Sequence, residues 1–107
     1  HAMTSNPIDE MVELCQALID MIGGVGACPD LFVMQQSFSD AVGRAMTAYK
    51  KGEIEVDIRT LPPIMYAFAT EELPVLCQGD AEDLEKARKQ LGLFMTSVKE
   101  LVNPRPA

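Results

Sequence analysis

The stretch GEIEVDIRTLPP, Gly52–Pro63, decides how this chain is organised. Ile54, Val56 and Ile58 alternate with Glu53, Glu55, Asp57 and Arg59, so an extended backbone would put the aliphatic residues on one side and the charges on the other. That is the pattern of a half-buried strand. No other segment offers it a clear strand partner, and an unpaired edge is a template for another chain. Two readings of residues 53–59 follow: an extended connector laid on a helical core, or an edge paired with its counterpart in a second subunit. Proline at Val56 separates them, because it would weaken a pairing strand and leave a connector's assembly state alone.

Everything around this stretch steps at helical spacing. Upstream, Leu31, Met34, Phe38, Val42, Ala45 and Tyr49 recur every three or four residues, with Pro29 and Asp30 before them and the stop signal Lys50, Lys51, Gly52 after. Gly43 inside this pattern costs up to about 1 kcal/mol relative to alanine, and either admits a close neighbour or is merely tolerated. Further upstream, Ser5 and Asn6 are cap candidates before Pro7, and Asp9 and Glu10 meet the positive end of the helix dipole. Ile8, Met11, Cys15, Leu18 and Ile22 then form a stripe that Gly23 and Gly24 are expected to end. Downstream, Pro62 and Pro63 open a short helix through Ile64, Met65, Phe68 and Leu73, which Pro74 is expected to break. Asp80 caps a last helix whose Leu84, Ala87, Leu91, Phe94, Val98 and Leu101 step by three and four, before Asn103 and Pro104 terminate it. The expected fold is all-α, a small antiparallel bundle of three long helices and one short helix, with one extended segment near residues 53–59.

At 107 residues the chain allows one domain, placed at residues 7–102. Residues 1–2 read as an expression-tag remnant, 3–6 as a flexible N-terminus and 103–107 as a disordered tail. Discounting His1 leaves no histidine. The residues after Met3 are polar and acidic where a secretory signal needs a basic and then an apolar run. No apolar run approaches the ~20 residues of a membrane span. Cys15, Cys28 and Cys77 are odd in number and widely spaced, as reduced thiols are. A cytoplasmic protein without a membrane partner is the expectation. The formal net charge is −7, and every acid from Asp9 to Asp40 precedes the first basic residue, Arg44. Direct nucleic-acid binding is disfavoured, and a basic protein surface is the more fitting target.

Without an imidazole, Ser–His–Asp and Cys–His catalysis fall away. The cysteines form no CxxC pair of the kind a zinc site uses. In GDAEDLE the glycine comes before the acids rather than in the middle of a calcium loop, so the segment reads as a helix cap. The glycines of GGVGAC lack the phosphate-loop lysine and read as a turn. Asp9 and Glu13 are neighbours on a helix face, but no base, metal or oxyanion donor accompanies them. The expectation is no enzyme, no cofactor and no metal site.

The positive signal is interaction. Met11, Met21, Met34, Met46, Met65 and Met95 suit irregular cores and adaptable binding surfaces alike. The first helix is apolar around more of its circumference than one neighbour needs, and the surplus argues for a partner or a homodimer. The partner-binding candidates are Asp9, Glu13 and Asp20 along one side of that helix, with Met11, Leu18 and Ile22 beside them. Asp20 lies near the carboxyl end, where a negative charge opposes the dipole, and such a placement hints at a use. The dimer-interface candidates are Ile54, Val56, Ile58, Leu91, Phe94 and Met95. In whole-chain character, NPIDEMVELCQALIDMIGG followed by helical segments on an acidic chain resembles the small bacterial quorum-sensing anti-activators that sequester transcription factors. The resemblance implies a homodimer that binds the ligand-binding domain of a LuxR-type activator such as LasR and blocks its dimerisation or DNA binding. A cytoplasmic immunity protein or a secretion chaperone covering a basic or apolar client is the alternative. A small-molecule pocket near Tyr66 and Phe68 is the third reading.

Overall fold

Asn6 starts the first helix. In the computed structural model, which describes residues 6–25 and 31–103, its side-chain Oδ1 accepts the Ile8 N–H at 2.8 Å, and Pro7 follows where a helix needs no N–H donor. Helix α1 spans Pro7–Val25. It runs through Gly23 and Gly24, which were expected to end it: neither has the positive φ that a terminating glycine adopts, and Gly23 lies against the Arg88 stem of a neighbouring helix. The helix therefore stops later than its glycines suggest. Residues 1–5, residues 26–30 with Cys28, Pro29 and Asp30, and the tail from Pro104 lie outside the described residues.

Helix α2 spans Leu31–Lys50 and ends as its stop signal predicts. Gly52 has φ +77°, its N–H bonds to the Tyr49 carbonyl at 3.0 Å, and the Glu53 N–H reaches back to the Ala48 carbonyl at 2.9 Å. This paired closure satisfies the last carbonyls of the helix and needs a left-handed residue at its centre.

Within the chain the deciding stretch runs as a connector laid on the core. Ile54 and Val56 pack half-buried against the core, Ile58 is buried, Glu53 and Glu55 are exposed, and Asp57 is half-buried. The extended reading fails over its last residues, because Ile58–Thr60 form a 3-10 turn. Asp57 nucleates it: Oδ1 accepts the Arg59 N–H at 3.0 Å, and the Thr60 hydroxyl donates to the Asp57 carbonyl at 2.7 Å. The Arg59 guanidinium pairs with the Asp57 carboxylate at 3.0 Å and lies 5.7 Å from the centre of the Tyr49 ring, which ties the turn to α2.

Three short pieces then form one helical arm: α3 (Pro63–Ala67), a π-type turn (Phe68–Glu72) and α4 (Leu73–Leu76). Pro74 does not break the arm. In the π-type turn the Leu73 N–H bonds five residues back to the Phe68 carbonyl, so the register shifts and Pro74 falls at the start of α4, where a missing N–H is tolerated. Asp80 caps the last helix, α5 (Ala81–Val102), by accepting the Asp83 N–H at 3.0 Å.

Helix α1 packs most extensively against α2 and α5, and the arm lies against α2 and α5. Cross-links fix the directions. Glu10 early in α1 meets Arg44 late in α2, Ile22 late in α1 lies with Arg88 early in α5, and Met46 and Gln35 of α2 lie with Tyr66 and Pro74 of the arm in reversed order. Consecutive helices are therefore antiparallel. Phe38 of α2 meets Phe94 of α5 edge to face, ring centres 5.6 Å apart, at the centre of the core. The molecule measures 39 × 35 × 22 Å, and its short dimension is about two helix diameters, so it is a slab in which long helices keep an outer face.

Candidate functional site

The acidic ridge predicted on α1 is present as a row. Asp9, Glu13 and Asp20 are exposed along one side, with Gln16 between them donating to the Asp20 carboxylate at 3.0 Å. Among the described residues, the ion pairs join Arg44 to Glu10, Arg59 to Asp57 and Arg88 to Glu85, and none engages the ridge. One argument for the ridge weakens. With α1 continuing to Val25, Asp20 stands more than a turn from the helix end, beyond the reach of the terminal dipole.

The apolar half of the predicted partner surface is a correction. Met11 and Leu18 are fully buried and Ile22 nearly so, because α1 has helices on two sides and its wide stripe is consumed by both. The same holds for the predicted dimer residues Leu91, Phe94 and Ile58, which are core side chains. Ile54, Val56 and Met95 lie half-buried at the margin of that core. The surplus of apolar surface is real but sits elsewhere: Phe32, Val33, Ile64, Val75 and Leu93 are each at least half exposed. Their signal was in the sequence. Runs such as LFVM and LGLFM place consecutive apolar residues about 100° apart on a helix, so one buried face cannot hold them all.

The outer side of α2 carries the main surface relief. Three depressions, of about 610, 360 and 220 Å³, all meet at Ser39. The largest opens toward Pro7, Thr47 and Lys51, the second toward Phe32 and Pro74, and the third toward Met46 and Thr70. Gly43 lines the first and third, and a Cβ added there would meet nothing within 4 Å. The second is also lined by Gln35, 3% exposed and the buried polar residue among the described residues, whose Nε2 donates to the Ser39 hydroxyl at 2.9 Å.

The thiols are set by packing. Cys15 Sγ donates to the Leu91 carbonyl at 3.3 Å, and burial pushes its pKa up to about 12 although Lys99 acts in the opposite sense. Burial also raises Cys77, to about 11. Both stay protonated near neutral pH and are poor nucleophiles. Tyr66 and Phe68 do not form the pocket expected of them: Phe68 is buried in the core, and the Tyr66 hydroxyl donates to Met46 Sδ at 3.5 Å. No helix of the described residues is long and apolar enough to cross a membrane. No protein-family model, curated protein or solved structure matches this chain.

Proposed function

We propose that this protein is a non-catalytic regulator that works by binding another protein, as an anti-activator that sequesters a LuxR-type quorum-sensing transcription factor such as LasR. The observation that carries the binding reading is the set of half-exposed apolar side chains Phe32, Val33, Ile64, Val75 and Leu93, on a chain most of whose other large apolar residues fill one core. Large apolar groups left in water on a small domain mark sites of association. Asp9, Glu13 and Asp20 of α1, exposed and outside the ion pairs of the described residues, suit a basic partner surface. The class of partner comes from the resemblance of the sequence, as does the homodimeric state.

The test is to mix the purified protein with the ligand-binding domain of such an activator and measure mass by size exclusion with light scattering. Co-elution at a defined ratio, with loss of the activator's own dimer, is the expected result. Separate elution at concentrations well above those in a cell would sink the proposal.

A further inference from the structure

The outer face of α5 carries one continuous stripe. Lys86, Lys89, Leu93, Thr96 and Glu100 recur every three or four residues and are all exposed, with Gln90 and Ser97 half-buried beside them. Leu93 stands at its middle, 57% exposed, whereas Leu84, Leu91, Phe94, Val98 and Leu101 of the same helix pack into or against the core. Counted from Leu93, a lysine lies seven residues before and a glutamate seven residues after. Among the described residues Lys86, Lys89 and Glu100 enter none of the ion pairs. From Lys86 onward the stripe therefore reads basic, apolar, acidic, and Glu82 at its head lies one turn outside that span.

Such a face complements itself in one orientation. Laid antiparallel on a second copy, with the two-fold axis at Leu93, each residue meets the one that stands as far beyond Leu93 as it stands before it. Lys86 then faces the partner's Glu100, and symmetry supplies the reciprocal pair. Lys89 meets the partner's Ser97, Gln90 meets the partner's Thr96, and the two leucines close on each other at the axis, so no like charges are opposed. A parallel arrangement would instead set Lys86 against its own copy. Glu100 also borders a hollow of about 270 Å³ lined by Leu61 and Pro62, where a lysine can lay its stem on apolar surface and bring its ammonium to the carboxylate. With a net charge of −7 and an acidic ridge on α1, two copies repel over much of their surface, and a seam that cancels charge locally is where they can approach. We infer that the outer stripe of α5 is the surface through which two copies of this chain pair, antiparallel about Leu93. From Lys86 to Glu100 the seam is roughly 21 Å long, with one leucine on each side, so the dimer is of the small, dissociable kind. The inference rests on the homodimer of the reading above and gives it an interface in place of the buried Leu91 and Phe94.

Analytical ultracentrifugation of the full chain over roughly 1–500 μM should show a monomer–dimer equilibrium. Lys86→Glu sets acid on acid and Glu100→Lys sets base on base, so each alone should weaken the dimer about tenfold, as should Leu93→Ala, while Phe32→Ala on α2 should leave it unchanged. Mixing the two reversal variants makes both cross-pairs attractive again, and so does combining the reversals in one chain. Either should restore association to within about threefold of the parent, a rescue that misfolding cannot imitate. A chain monomeric throughout, a dimer indifferent to Leu93→Ala and to both reversals, reversals that neither mixing nor combination rescues, or a dimer lost in Phe32→Ala would each overturn the α5 seam. A parent that stays monomeric yet co-elutes with the activator removes the seam and spares the regulator reading; a parent whose dimer follows these variants but which binds no activator does the reverse.

Discussion

Replacing Phe94 by alanine tests whether it belongs to the core of one chain or to a contact between chains. The side chain is 2% exposed and meets Phe38 edge to face at 5.6 Å. Phe-to-Ala changes at such sites cost about 3–5 kcal/mol, of which the aromatic pair supplies roughly 0.5–1.5. For a chain of 107 residues each kcal/mol moves the melting temperature by about 4 °C, so a loss of roughly 12–20 °C is expected. Thermal denaturation followed by circular dichroism reads it, and Phe94→Leu provides a milder variant that keeps the fold if alanine abolishes it. A double-mutant cycle with Phe38→Leu should return a coupling within the aromatic range. Both residues sit inside one chain, so the difference between parent and variant must hold across a roughly hundredfold dilution. A loss below about 1 kcal/mol, or one that grows on dilution, would return Phe94 to an interface between subunits.

Cys15 should resist thiol reagents in the native protein and react after Cys77, with unfolding required for its slower phase; prompt labelling of Cys15 would refute its burial. Its folded pKa lies above the unfolded value, so its contribution to stability is complete below about pH 9 and is lost as pH rises toward 12. Urea midpoints should fall over that alkaline range, and less steeply in Cys15→Ala; identical slopes would contradict the assignment. Asp80→Ala removes the cap of α5 and should cost about 1 kcal/mol in urea denaturation, with Asn6→Ala costing a similar amount at α1. Val56→Pro should leave the elution volume unchanged, since residues 53–57 form no ladder within the chain; a shift toward monomer would restore the paired-edge reading.

What was legible in the sequence is the local chemistry. Asn6, Asp80 and Gly52 each satisfy backbone groups within a few residues of themselves, and each does what its residue type predicts. Gly23, Gly24 and Pro74 were misread for a shared reason: their usual meaning as helix breakers assumes a standard register and free ends. Gly23 lies against α5 and the helix continues through both glycines to Val25, and a one-residue π insertion moves Pro74 to a harmless position. The surplus of exposed apolar surface was legible in kind but misplaced. Periodicity shows that Met11, Leu18, Leu91 and Phe94 share apolar faces, yet it does not say whether a face meets its own chain or another. Phe32 and Ser39 emerge as surface features only once α2 is placed beside the arm.

The position of α1 between α2 and α5 also sets the order in which the molecule can be made. One flank of α1 is covered by its next neighbour in sequence, but the other waits for α5, and the contact from Cys15 to the Leu91 carbonyl spans 76 residues. A ribosome must deliver nearly the whole chain before that flank closes, so the growing protein carries an open apolar helix through most of its synthesis. Nested C-terminal truncations should stay protease-sensitive until the one that includes Val98. A nascent chain of this kind depends on chaperones or speed in a way that the finished slab no longer reveals.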